Sequence, residues 1–107
     1  MINISVLTPE KEVFYGSIES IKVPGIKGEF QVLKNHAPIV SALNAGKVTM
    51  VTAKGEYQYY DTESGAIKKA ADKGRKIHFE ISGGFIEVLK NEIALLVKGV
   101  KTLNGTS

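Results

Sequence analysis

Lys76-Ile77-His78-Phe79-Glu80-Ile81-Ser82 sets apolar side chains at 77, 79 and 81 against polar or charged ones at 76, 78, 80 and 82. Successive side chains of an extended strand point to opposite sides. The two-residue period therefore puts Ile77, Phe79 and Ile81 on a core and His78, Glu80 and Ser82 toward solvent. Toward the C-terminus, Ser82-Gly83-Gly84-Phe85 marks a sharp turn or bulge. Residues 85–89 and 93–97, separated by Lys90-Asn91, then read as a hairpin. Its second strand is apolar almost throughout and is expected to be buried on both faces.

Toward the N-terminus the same strand-and-turn grammar recurs. Residues 64–74 are rich in Ala and Lys, and two structures suit them equally: a short helix with Ile67, Ala70 and Ala71 on one face, or a mobile hairpin tip. Lys54-Gly55 is a tight hairpin turn between strands at 48–51 and 56–60. Asn44-Ala45-Gly46, Lys34-Asn35-His36-Ala37-Pro38 and Pro24-Gly25-Ile26-Lys27-Gly28 separate further short apolar runs at 39–43, 29–33 and 18–23. Between Ile18 and Ile21 the apolar parity shifts, which predicts a β-bulge. Ile2-Asn3-Ile4-Ser5-Val6 alternates again and ends before Pro9. Turns every 8–12 residues or so predict an all-β fold, a two-sheet β-sandwich of about nine or ten short strands. It forms one domain over residues 1–103, followed by a short flexible tail at 104–107.

Composition excludes several classes of function. The 107 residues contain no cysteine, so disulfides, thiolate nucleophiles and Cys-based zinc sites are ruled out. The net charge of +3 is modest, with one basic cluster at 68–76. No apolar stretch reaches the ~20 residues of a bilayer span, so any membrane association is expected to run through a partner. Phosphate-loop, dinucleotide-fold and zinc-helix motifs are absent. His36 and His78 have no companions at metal-ligand spacing, and no carboxylate pair is spaced for acid/base work. Neither a catalytic residue nor a cofactor or metal site is expected. Tyr57, Tyr59 and Tyr60 beside lysines resemble a stacking platform for single-stranded nucleic acid, but such residues more often fill a sheet face.

Three blocks make the chain recognisable. Gly25-Ile26-Lys27-Gly28-Glu29-Phe30-Gln31-Val32-Leu33-Lys34-Asn35-His36-Ala37-Pro38, with Leu43-Asn44-Ala45-Gly46-Lys47-Val48 after it, resembles the ATP synthase epsilon subunit family. The opening Val6-Leu7-Thr8-Pro9-Glu10-Lys11-Glu12-Val13-Phe14-Tyr15-Gly16 fits the same family. So do Ile81-Ser82-Gly83-Gly84-Phe85-Ile86-Glu87-Val88 and Asn91-Glu92-Ile93-Ala94-Leu95-Leu96. The resemblance covers nearly the whole chain in order. It implies a β-sandwich of about ten strands, bound to the gamma subunit and resting on the polar loops of the c-ring.

By that resemblance the chain is expected to be a non-catalytic rotor subunit of a proton-translocating F1F0 ATP synthase, with catalysis in other subunits of the F1 complex. It would sit peripherally at the cytoplasmic face of a bacterial plasma membrane and bind no nucleic acid. Thr8, Glu29, His36, Ala37 and Pro38 are carried over as contacts to gamma and the c-ring. A free-standing ligand-binding β-sandwich is the alternative, and it requires a concave aromatic site. The sequence departs from the family pattern at three places. Lys34-Asn35 stands where Pro-Gly is usual, Gln31 replaces a usual glycine, and the connection at 61–75 is long. The family's C-terminal helical pair, which carries inhibition and in some members an ATP site, is expected to be missing after Ser107.

Overall fold

The computed structural model describes residues 2–61 and 64–104, with side chains through residue 101. Eleven strands occur among them. They are β1 (Ile2–Leu7), β2 (Glu12–Gly25), β3 (Gly28–Val32), β4 (Ile39–Leu43), β5 (Gly46–Thr52), β6 (Tyr57–Asp61), β7 (Ala66–Ala70), β8 (Lys76–Ile81), β9 (Gly83–Leu89), β10 (Glu92–Lys98) and β11 (Lys101–Asn104). Of the tail expected over 104–107, Asn104 is in β11 and residues 105–107 lie outside the described residues.

Pairing runs β1-β10-β9-β4-β2-β5-β8-β11, and β1 also pairs β2. The long strand β2 therefore serves two layers. Its first half pairs β1 and β6, and its second half pairs β5 and β3 before meeting β4 at Gly25. The bend between the halves is the bulge that the parity shift predicts. Ile18 faces Thr52 and Ser20 faces Val51, leaving Glu19 as the extra residue.

Alternate residues point inward from both layers and meet in one cluster, so the layers face each other across a single core. Ile77, Phe79 and Ile81 of β8 are buried there with Ile4, Ile21, Met50, Ile86 and Leu95. Each such side chain contributes about 1.5–3 kcal/mol by leaving water.

Two expectations are corrected, and a third is resolved between its alternatives. Lys54-Gly55 does not close a hairpin, because β5 pairs β2 and β8 whereas β6 pairs β2 and β7. The region 64–74 contains no helix. Ala66–Ala70 is strand β7, paired in register with β6 from Tyr57↔Ala70 to Asp61↔Ala66, which realises the hairpin alternative. Lys68 is drawn across it by Asp61 at 2.9 Å, and a short Ala/Lys stretch has too few local contacts to hold a helix against eleven-strand pairing. Nor is β10 buried on both faces. Ile93, Leu95 and Val97 are buried, whereas Leu96 is 49% exposed.

Candidate partner-binding site

The register assigns the turns to two ends. Leu43 pairs Gly25 and Gly84, Gly84 pairs Val97, and Leu96 pairs Leu7. The turns after β1, β2 and β4 thus share one end. At the opposite end Ile39 pairs Val88, Val88 pairs Ile93, and Ile93 pairs Ile4. The loop after β3 and the β9–β10 turn lie there.

Glu29 belongs to the first end. Gly25 and Gly28 close the β2–β3 hairpin around Ile26 and Lys27, with Gly28 at φ 124. A Cβ on Gly25 would stand 2.7 Å from the Gly28 oxygen and 2.8 Å from the Phe30 ring, so the close turn requires glycine. The tip is braced on the neighbouring turn by Asn44 N donating to Pro24 O at 2.8 Å. Ile26, Lys27 and Glu29 are left exposed.

Thr8 shares this end and is half-buried. Its backbone N–H and hydroxyl both donate to the Lys11 oxygen, at 2.8 and 3.1 Å, and Lys11 N returns to its Oγ1 at 3.2 Å. The hydroxyl thus shapes the turn that carries Pro9 and Glu10.

His36, Ala37 and Pro38 lie at the opposite end. Sequence reasoning grouped them with Glu29, but β3 runs between the two turns and separates them. Asn35 takes the left-handed conformation (φ 64) that the family's glycine would adopt, as asparagine tolerates. Its N–H donates to Asn91 Oδ1 at 2.7 Å, and Asn91 Nδ2 donates to Asn35 Oδ1 at 3.2 Å. Asn91 sits with Lys90 in a turn with both residues at positive φ. His36 N–H donates to Leu33 O at 3.2 Å, and its Nδ1 lies 2.7 Å from Ala37 O. The half-buried imidazole is therefore spent on its own loop, while Ala37 and Pro38 remain exposed.

Sequence reasoning missed an apolar stripe on the outer face of β4, β9, β10 and β1. Ala42, Phe85, Leu96 and Leu7 lie in one cross-strand row. Val40 on β4 and Leu89 on β9 share this face, with the exposed Glu87 opposite Val40 and between Phe85 and Leu89. Val40 is 71% and Phe85 56% exposed. An apolar cross-strand row left open on the outside of a sheet is the kind of surface that another body covers. The signal was present in the apolar residues at both parities of residues 93–97, which had been assigned to burial within the fold.

Little else offers chemistry. Among the described residues no group of three His, Cys, Asp or Glu side chains gathers as a metal ion would need. Tyr57 is buried and stacked on Phe14, while Tyr59 and Tyr60 pack against the core, so the tyrosines fill a sheet face. Burial raises the Tyr57 pKa, partly opposed by Arg75. Hydrogen bonding to Asp72 raises that of Arg75. Acidic partners answer much of the basic cluster: Lys68 to Asp61, Lys69 to Glu56 and Arg75 to Asp72.

Residues 1–73 match a family described as the ATP synthase delta/epsilon chain, β-sandwich domain. The ATP synthase epsilon chain of Chlorobaculum tepidum is 36% identical over 97 residues, covering 91% of this chain and 89% of that one. The epsilon chain of Caulobacter vibrioides is 32% identical, with coverage of 91% and 90%. That of Salinibacter ruber is 29% identical over 94% of this chain, which spans only 60% of the relative's length. Among solved structures, a chain of the Euglena gracilis mitochondrial ATP synthase (OSCP/F1/c-ring) superposes with a TM-score of 0.65 at 18% identity, covering 94% of this chain and 52% of that one. One from the Tetrahymena thermophila central stalk and c-ring superposes at 0.58 and 15%, with coverage of 94% and 65%. At such identities these two establish the shared fold.

Proposed function

We propose, from the premise that the chain belongs to the ATP synthase delta/epsilon chain family, that it is a central-stalk subunit of a proton-translocating F1F0 ATP synthase. It binds the gamma subunit and meets the polar loops of the c-ring. Catalysis resides in other subunits of the F1 complex, and membrane association comes through the complex, at the cytoplasmic face of a bacterial plasma membrane. The observation that carries this reading is the open apolar stripe Ala42, Phe85, Leu96 and Leu7 on a chain of this family.

Gamma covers that stripe in the proposed assembly. The Glu29 tip, braced at one end of the sandwich, reaches the c-ring, and Thr8 and the His36-Ala37-Pro38 loop add contacts to gamma. Two partners held by separate parts of one body suit a rotor element. Backbone ladders joined across a packed core resist shear, so torque passes through with little deformation.

The test is binding to purified gamma. Wild-type chain co-purifies with it, and Leu96→Lys, which puts an ammonium in the middle of the stripe, loses the complex while keeping its melting temperature. Wild-type chain that does not bind gamma, or Leu96→Lys that binds as wild type does, overturns the reading.

A further inference from the structure

At the end of the sandwich that carries the His36 loop, a cavity of about 320 Å³ is lined by Ile2, Ile18, Glu19, Lys34, Ala53, Lys54 and Lys73. We propose that it is a site for a doubly charged phosphate-type oxyanion, either free or as the terminal group of a small molecule. The inference does not depend on the stalk function.

The first support is charge. Three lysines from three different connections converge on one cavity, the loop after β3, the turn after β5 and the loop after β7. Among the described residues none of the three forms an ion pair, in contrast to Lys68 and Lys69 of β7 and to Arg75 in the loop after it. The single carboxylate is Glu19, the bulged residue of β2, so two positive charges remain in excess. Like charges held together at a partly walled cavity repel one another, and a dianion relieves that repulsion while accepting hydrogen bonds from the amines.

The second support is that the backbone under each lysine is pinned before any ligand arrives. Lys34 adjoins Asn35, which Asn91 holds. Lys73 lies between residues tied to Thr52, a buried side chain. The Thr52 hydroxyl donates to the Asp72 oxygen and accepts from Arg75 N at 2.9 Å, and the Thr52 carbonyl accepts from Gly74 N at 2.8 Å. Lys54 follows Ala53, whose N–H donates to Ser17 O at 3.0 Å. Fixed backbones reduce what ordering the amines costs on binding.

The chemistry of the site points to phosphate. The three lysines present donors only, Glu19 is the single acceptor side chain in the lining, and the buried Ile2, Ile18 and Ala53 add none, so the positive excess selects an anion over a cation or a neutral polar ligand.

The experiment is a titration of the full chain with inorganic phosphate at low ionic strength, followed by amide NMR. Saturable shifts are expected at residues 18–19, 34, 53–55 and 73–74. Lys54→Gln with Lys73→Gln is expected to weaken binding about a hundredfold, about tenfold for each charged hydrogen bond. The control pair Lys47→Gln with Lys98→Gln leaves it unchanged. Shifts that do not saturate, that chloride of equal ionic strength reproduces, or that survive the Lys54/Lys73 double substitution overturn the proposal. Glycerol phosphate and vesicles containing phosphatidic acid separate the sources. Competition by the soluble ester alone assigns a free metabolite, and competition by vesicles assigns a lipid headgroup. Competition by neither, with saturable phosphate binding, assigns inorganic phosphate itself.

Discussion

Replacing Asn91 tests how the His36 loop is held, because three substitutions remove different parts of one arrangement. Asn35→Gly keeps the backbone N–H that donates to Asn91 at 2.7 Å and loses only the 3.2 Å side-chain bond. At an exposed site that bond is worth about 0.5 kcal/mol. Asn91→Gly loses both bonds but accommodates φ 62 without strain, which costs about 1–1.5 kcal/mol. Asn91→Ala loses both and also replaces asparagine, which tolerates the left-handed region, by a residue that does not, adding about 1 kcal/mol. In a chain of this size each kcal/mol shifts the melting temperature by about 4–6 °C. The three variants should therefore melt about 2–3, 4–9 and 8–15 °C below wild type by calorimetry. Amide exchange at Asn35 should accelerate in both Asn91 variants and change less in Asn35→Gly. Equal melting of Asn91→Gly and Asn91→Ala would refute the role of the left-handed turn. Asn35→Gly as damaging as Asn91→Gly would refute the role of the 2.7 Å bond.

Three further outcomes are expected. Glu29→Arg should weaken proton-coupled ATP synthesis in reconstituted vesicles with little change in melting, because Glu29 is exposed at a turn and carries little core energy. Unchanged synthesis removes Glu29 from the c-ring contact. Gly84→Ala should destabilise by about 3 kcal/mol, because the added Cβ overlaps the Leu96 carbonyl oxygen and comes within 3.0 Å of Val97 Cα. A denaturation midpoint within error of wild type contradicts that close strand approach. Tyr57 supplies the pH dependence. Its pKa is raised on folding, so its contribution is full below the ordinary value of 10.0 and disappears as pH rises through the folded value. The fall in stability above about pH 10 should be shallower in Tyr57→Phe than in wild type, and identical slopes refute the burial effect.

The strand pattern was legible because a half-buried sheet writes its period into the chain. Residues 76–82 display it without interruption, and the slipped parity at Ile18 and Ile21 even marks the bulge where β2 passes from one layer to the other. The left-handed conformation of Asn35 follows the family pattern, in which a glycine is usual at that position. What stayed hidden depends on partners distant in sequence. Residues 66–70 have an Ala/Lys composition with no strand period, and only backbone pairing with β6 makes them a strand.

The candidate site divides in the same way. Glu29 and His36 are seven positions apart and were read together, but β3 carries the chain from one end of the sandwich to the other between them. The apolar residues at both parities of 93–97 announced two covered faces. Which face stays open follows from the register that puts Leu96 beside Phe85 and Leu7 on the outside. Lys34, Lys54 and Lys73 carry no common motif and meet only through three loops at one end. Local side-chain chemistry determines period and turn. Proximity across a sandwich is determined by hydrogen-bond ladders between strands far apart in the chain, which no local pattern records.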